Sequence, residues 1–292
     1  MRWNDRRTGV HSVVPVVLSL LLLGCGDTPK TTEADDNVGT QSATQPEPKP
    51  AEPVAEPEAL TVATIEMPYG ETDDGLYRGH FAYPEAMVEP LPAVIVIHDW
   101  WGLDDATKNV AERLAGQGYM VLAVDLFNGQ SAKTPEQAGA LSMQLLEQTD
   151  AAEDNLRAAH QFLTDAAGAP VVATFGTAMG GYWSFKSSRI LPDALAASVM
   201  FYGQFDTDQA KLELLNVPLL AIFAGDDAST PKGQIKVLTD ITSALDKPVN
   251  VHVLPRVKQG FANPDDARFD ARAAQTAWEL TLSFLAQHLQ AP

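Results

Sequence analysis

The fold is decided by the stretch 171–181, which reads Val-Val-Ala-Thr-Phe-Gly-Thr-Ala-Met-Gly-Gly. Apolar and β-branched residues lead into Gly176, and a segment compatible with a helix follows Gly181. A strand that turns sharply into a helix needs glycines beside the turn, because the two backbones approach closely there. The stretch therefore predicts a strand, a tight turn and a helix.

The centre of this turn is occupied by Ala178. The frame Gly176-x-x-x-Gly180 matches the G-x-S-x-G or G-x-C-x-G turn, whose central residue is a nucleophile held at a strained backbone angle. A methyl group cannot attack a carbonyl carbon. The question of what the protein does therefore begins at Ala178.

The composition excludes some classes of function. The chain of 292 residues carries 38 Asp and Glu against 20 Lys and Arg, a formal net charge of −18. Binding to nucleic acid phosphates requires the opposite sign, so we expect no nucleic acid partner. Cys25 is the single cysteine, which excludes an intrachain disulfide and any cysteine nucleophile further along the chain.

The first residues have the layout of a secretory signal. Basic residues at the start precede an apolar run over 13–23, which is too short for a comfortable membrane span. The run ends in Leu22-Leu23-Gly24-Cys25, which resembles the bacterial lipobox. We therefore expect a signal peptide over 1–24 and a lipid anchor on Cys25. Gly26 favours the outer membrane, so the expected location is the bacterial cell envelope, facing the periplasm or the exterior.

An acidic, proline-rich segment follows over 25–59. Five of its six prolines lie within 46–57 and alternate there with small and acidic residues, a composition that cannot bury a core. We expect this segment to be a disordered tether that holds a domain away from the membrane. The globular domain is expected over 60–292.

Strands and helices alternate from residue 60 onward, after an opening hairpin. The predicted strands are 60–67, 76–83, 93–97, 120–126, 171–175, 197–202, 218–224 and 249–254. The predicted helices are 105–116, 134–148, 149–167, one directly after the turn at Ala178, 231–245 and 267–289. This order predicts a single α/β domain with a mostly parallel central sheet and helices on both faces. In such sheets, ligands bind beyond the carboxyl ends of the strands.

Polar and aromatic motifs directly follow four of the predicted strands, and their order along the chain is informative. His98-Asp99-Trp100-Trp101-Gly102 comes after the strand 93–97, and the turn at Ala178 follows the strand 171–175. Asp227 comes after the strand 218–224, four residues before Pro231, and Gln259-Gly260-Phe261 follows the last strand. Nucleophile, acid and histidine occur in this order in α/β-hydrolases.

Taken together, these four motifs resemble those of the dienelactone hydrolase family over residues 60–289. The resemblance implies an α/β-hydrolase fold and a family activity of ester or lactone hydrolysis. The family's nucleophilic cysteine falls on Ala178, its triad acid on Asp227 and its catalytic histidine on Gln259. The acidic residue that interacts with the cysteine in the resting enzyme falls on Asp99.

Two of the three triad positions therefore carry residues without the required chemistry. Ala178 has no nucleophilic atom, and the amide of Gln259 neither accepts a proton near neutral pH nor becomes a cation. The backbone N–H groups of Met179 and Trp100 are still expected to face the pocket as an oxyanion hole. Trp100, Trp101, Tyr202 and Phe261 are expected to form its apolar and aromatic walls.

Three hypotheses follow. The first is an envelope-anchored domain that has lost hydrolysis and binds a small ester-like or carboxylate-like ligand, or a protein. The second is an active hydrolase with atypical machinery built from Asp99, His98 and Asp227. The third is a scaffold that uses only its outer surface, which predicts an occluded pocket. No ligand-spacing motif indicates a metal, and we expect neither a metal nor another cofactor.

Overall fold

A computed structural model of the protein describes residues 59–72 and 75–289. These residues belong to one compact unit, Ala55–Pro292. The predicted signal peptide over 1–24 and nearly all of the predicted tether over 25–59, including Cys25, lie outside the described residues. Among the helices of the described part, none is both long and apolar enough to cross a membrane.

The centre of the fold is an eight-stranded sheet with the order β1-β2-β4-β3-β5-β6-β7-β8. Its first two neighbouring pairs, β1 with β2 and β2 with β4, are antiparallel, and all later pairs are parallel. The strands are β1 (Val62–Thr72), β2 (Gly75–Pro84), β3 (Ala93–Ile97), β4 (Met120–Val124), β5 (Val172–Thr177), β6 (Leu195–Phe201), β7 (Leu219–Ala224) and β8 (Val249–Leu254). This arrangement confirms the predicted mostly parallel α/β sheet.

Helices connect the parallel strands. They are α1 (Asp105–Ala115), α2 (Pro135–Glu147), α3 (Thr149–Gln161), α4 (Met179–Ile190), α5 (Gln209–Leu212), α6 (Lys232–Ala244) and α7 (Ala271–His288), with one π-helical turn at Phe162–Ala166. The side chains of Asp104, Thr134 and Asp270 accept hydrogen bonds from backbone N–H groups in the first turns of α1, α2 and α7. Such caps satisfy donors that a helix cannot pair internally.

Helices cover both faces of the sheet, as the sequence predicts. Along β3, Val94 and Val96 pack in a core that also contains α1 and α7. Ala93, Ile95 and Ile97 pack on the opposite face, in a core that contains residues of α2, α3 and α4. Because a strand buried on both faces is apolar throughout, β3 shows no polar alternation.

The structure corrects three local predictions. The sequence also predicts Thr149 or Asp150 as the cap of α3, but Gln148 occupies the cap position without a side-chain bond, and the Thr149 hydroxyl donates to the Leu146 carbonyl. The closing helix starts at Ala271 rather than at 267, because Asp270 is its cap. The short helix α5 was not predicted, since four residues carry too little periodicity.

The turn between β5 and α4 has the geometry that its glycines imply. Ala178 has φ 51° and ψ −113°, a backbone conformation that residues other than glycine rarely adopt. A Cβ atom at Gly176 would overlap the Gly180 carbonyl, and one at Gly180 would overlap the Ile97 carbonyl oxygen. The turn therefore brings the start of α4 into direct backbone contact with β3 and holds Ala178 at the carboxyl end of the sheet.

Candidate functional site

A cavity of about 600 Å³ opens at the carboxyl ends of the parallel strands. A cavity of this size is typical of small-molecule sites. It contradicts the scaffold hypothesis, which predicts an occluded pocket. The lining residues are Asp99, Trp100, Trp101, Ser142, Leu146, Thr177, Ala178, Met179, Tyr182, Trp183, Tyr202, Gln204, Gln259, Gly260, Asn263, Asp266 and Arg268.

The tight turn presents Ala178 and Met179 to this cavity. Met179 is the first residue of α4, so its backbone N–H has no acceptor within the helix. The positive end of the helix dipole lies at the same place. The nucleophile position therefore carries only a methyl group, while the donor expected of an oxyanion hole is retained beside it.

Asp227, the residue at the acid position, is connected to Gln259 through Ser229. The Asp227 Oδ1 atom accepts hydrogen bonds from the backbone N–H of Ser229 at 2.8 Å and from its hydroxyl at 2.6 Å. The Ser229 oxygen also lies 3.4 Å from Gln259 Oε1, so this serine links the acid to the cavity wall. The Asp227 Oδ2 atom is buried and has no hydrogen-bond partner among the described residues.

Asp99 lies in the cavity wall, as the resemblance predicts. Its Oδ1 atom accepts a hydrogen bond of 2.9 Å from the backbone N–H of Trp101. The pKa of Asp99 is raised from 3.8 to about 6, chiefly by burial and to a smaller extent by the carboxylates of Asp104 and Asp266, against the lowering effect of the hydrogen bond from Trp101. Asp99 is therefore ionised above about pH 6 and neutral below it.

His98 does not take part in the site, which corrects its place in the second hypothesis. It is 1% exposed and does not line the cavity. Its Nε2 atom accepts from the Leu126 backbone N–H at 3.0 Å, so the ring proton lies on Nδ1 and is donated to the Asp99 carbonyl at 2.7 Å. Burial lowers the pKa of His98. This histidine is a neutral structural link between β3 and β4.

The prediction of which residues form the cavity walls is correct in part. Trp100 and Trp101 line the cavity, with ring centroids 5.2 Å apart. Phe261 was expected there, but it is fully buried in the core and does not line the cavity. Its ring packs against Phe201 and Tyr202 instead, with centroid distances of 6.3 and 5.1 Å.

The structure also brings in Arg268, which sequence reasoning missed. Arg268 lines the cavity and forms two side-chain hydrogen bonds to Asp266, of 2.8 and 2.5 Å. Its position was hidden because 267–289 was predicted as helix. Tyr202, by contrast, lines the cavity as predicted, and it reaches the cavity from the end of β6, where its φ of 38° turns the chain.

Metal-binding side chains do not gather in the described part of the chain. No group of three or more His, Cys, Asp or Glu residues lies close enough there to hold a metal ion.

The parallel sheet, the strained turn after β5 and the acid after β7 define the class of protein as an α/β-hydrolase fold. The family model of the dienelactone hydrolase family matches residues 77–289, which is more than half of the chain. The chain therefore belongs to the dienelactone hydrolase family.

Individual relatives agree with this assignment. The chain is 31% identical over 222 residues to "Protein usf" of Aquifex pyrophilus, covering 73% of this chain and 94% of that protein. It is 28% identical over 201 residues to a carboxymethylenebutenolidase homolog of Xenopus tropicalis, and the match covers 64% of this chain and 80% of that protein. A crystal structure of a dienelactone hydrolase-like promiscuous phosphotriesterase from metagenomic libraries superimposes with a TM-score of 0.71 and 21% identity. The superposition covers 78% of this chain and 99% of that one. This last likeness concerns the fold alone.

Proposed function

We propose that this domain binds a small ester-like ligand in the cavity without hydrolysing it. The observation that carries the proposal is the absence of a nucleophile–base pair among the described residues of the cavity. The strained turn carries Ala178, Gln259 stands at the histidine position, and none of the lining residues is a histidine. The family activity needs both partners.

The hydroxyl groups of the cavity do not replace the missing nucleophile. The Ser142 hydroxyl donates to the Ala138 carbonyl within its own helix, at 2.8 Å. Thr177 and Tyr202 line the cavity, but an alcohol or phenol needs an adjacent base to become reactive. Burial also raises the pKa of Tyr202, which keeps its phenol neutral. The cavity thus retains room and polar groups for a ligand.

We expect the full chain to show no hydrolysis of p-nitrophenyl acetate above the rate in buffer. An activated ester is the appropriate substrate, because its leaving group needs no protonation and weak activity is detected most easily. The release of p-nitrophenol measures the rate. Turnover that disappears in Asp227→Asn would overturn the proposal.

One observation favours a second candidate function, in which Asp99 activates a water molecule. Its pKa of about 6 suits a general base near neutral pH, and it lines the same cavity as the Met179 N–H. Because only the ionised carboxylate accepts a proton, the rate of such an enzyme would rise with pH through about 6 and then level off. Hydrolysis with this profile, lost in Asp99→Asn, would favour the second candidate over the first.

We further propose that the chain is anchored in the cell envelope through a lipid on Cys25. The support is the sequence Leu22-Leu23-Gly24-Cys25, at which the only cysteine of the chain stands. Gly26 at the next position supports the outer membrane, with the domain facing the periplasm or the exterior. The acidic, proline-rich segment over 25–59 would then separate the domain from the lipid surface.

We expect Cys25→Ala to move the protein from the membrane fraction to the soluble fraction of a bacterial host. The substitution removes the sulfur atom to which a lipid is attached, so incorporation of labelled palmitate is expected to disappear as well. Ser42→Ala, a change of similar size within the tether, is the control and is expected to stay membrane-bound. An unlabelled parent chain, or a Cys25→Ala chain that remains in the membrane, would contradict the anchor.

A further inference from the structure

Aromatic side chains form a substantial part of the cavity wall. Five of its 17 lining residues are aromatic: Trp100, Trp101, Tyr182, Trp183 and Tyr202. The rings of Trp100 and Trp101 meet at 62° and those of Tyr182 and Trp183 at 74°. The faces of tryptophan and tyrosine attract cations through their quadrupoles. Because the Lys186 ammonium already lies 4.7 Å from the centroid of the Trp183 ring, the other four rings are the ones offered to a ligand.

The charges around the cavity favour a cation as well. Of the three charged residues that line it, Arg268 is bound to Asp266 through two hydrogen bonds, so this pair is neutral in sum. Asp99 remains, and outside the Asp266–Arg268 pair the group that acts on its pKa through its charge is another carboxylate, that of Asp104. Its neighbours His98 and Tyr202 are neutral, because burial lowers the pKa of one and raises that of the other.

Asp99 is thus a partly buried carboxylate without a cationic partner in the described structure. Its Oδ1 atom has one donor, the Trp101 N–H. A carboxylate in this position gains from any positive charge that enters the cavity, because the surrounding rings lower the local dielectric. An anionic ligand would instead meet Asp99, and the single arginine is already occupied.

We propose that the ester-like ligand of this cavity carries an organic ammonium group, held by its charge at Asp99 and by the aromatic wall. The inference rests on the proposed function, because it names the ligand class of the same cavity. It departs from the carboxylate-like ligand that the sequence suggested, since a carboxylate would find no free cation among the described lining residues.

Three molecules of nearly equal shape test this charge preference. The probes are choline, its neutral analogue 3,3-dimethylbutan-1-ol and the anionic 3,3-dimethylbutanoate. Binding to the full chain is measured by isothermal titration calorimetry at pH 8, where Asp99 is ionised. We expect choline to bind at least about tenfold more tightly than the alcohol, which corresponds to about 1.4 kcal/mol, and the carboxylate to bind more weakly than either.

Two variants separate the contribution of charge from that of the rings. Asp99→Asn is expected to weaken choline about tenfold and to leave the alcohol unchanged. Asp240→Asn is the matched control, because it removes one carboxylate from an exposed ion pair with Lys236 on α6. Trp100→Leu keeps an apolar side chain at a position 37% exposed, so the fold should tolerate it, while choline loses affinity severalfold.

Each outcome bears on one proposal at a time. Equal binding of choline and the alcohol, tighter binding of the carboxylate, or no binding of choline would overturn the ammonium ligand. Loss of choline affinity in Asp240→Asn as large as in Asp99→Asn would overturn it too. None of these results concerns hydrolysis, whereas turnover of p-nitrophenyl acetate would overturn the non-catalytic function and leave the charge preference standing.

Discussion

The double substitution Ala178→Cys, Gln259→His is expected to raise the rate of p-nitrophenyl acetate hydrolysis by about a thousandfold or more over the parent chain. A thiol at the centre of the strained turn supplies the nucleophile, and an imidazole supplies the base that removes its proton. The backbone around position 178 already has the geometry that a nucleophile needs. Ala178 has the φ of 51° that this turn requires, and Met179 opens α4 beside it.

The acid position explains why the histidine should be functional once restored. Asp227 Oδ2 is buried and has no hydrogen-bond partner in the described part of the chain, while Oδ1 accepts two hydrogen bonds from Ser229. A histidine at 259 can donate its Nδ1 proton to the open oxygen, which fixes the tautomer that leaves Nε2 free to act as a base. The same bond would relieve the cost of a buried acceptor without a donor.

The two single variants are the controls for this experiment. Because nucleophile and base act as a unit, Ala178→Cys alone and Gln259→His alone are each expected to give only a small part of the gain. Circular dichroism and the melting temperature show whether the variants keep the parent fold. A folded double variant with no more activity than the parent would mean that the cavity lacks the geometry of a hydrolase.

Most of the fold could be predicted from local patterns. The bounds of β3 match the prediction residue for residue, because a continuous apolar run of five residues is typical of a buried parallel strand. The bounds of β8 match as well, because its valines alternate with Asn250 and His252 as expected of a half-buried strand at the edge of the sheet. The start of α7 could not be predicted in the same way. Arg268 bonds back to Asp266 through both its backbone and its side chain, and this turn competes with helix formation before Asp270.

The site was predictable where it depends on the topology. Residues that directly follow parallel strands meet at one edge of the sheet, so Asp99, Ala178 and Gln259 line one cavity as expected. The directions of individual side chains were not predictable. Phe261 lies two residues after Gln259 in the same loop yet enters the core, and the neutral tautomer of His98 depends on a backbone N–H of the loop after β4.

Gly180→Ala is expected to destabilise the domain by at least about 4 kcal/mol, enough to abolish folding of a typical domain near physiological temperature. A Cβ atom here would overlap the Ile97 carbonyl oxygen and lie 2.7 Å from that of His98. Both are backbone atoms of the β3 end, held by the parallel pairing of β3 with β4 and β5. They cannot move aside as a flexible side chain would.

Gly139→Ala is the matched control, since it makes the same chemical change inside a helix. A Cβ atom at Gly139 in α2 meets no other atom within 4 Å, so alanine should stabilise the chain there by about 0.5–1 kcal/mol through its higher helix propensity. The urea concentration at half-unfolding measures both variants, and the soluble yield serves if Gly180→Ala does not fold. A Gly180→Ala protein as stable as its parent would show that α4 does not contact β3 as closely as the tight turn requires. The register that places Ala178 at the nucleophile position, and with it the non-catalytic function, would then be wrong.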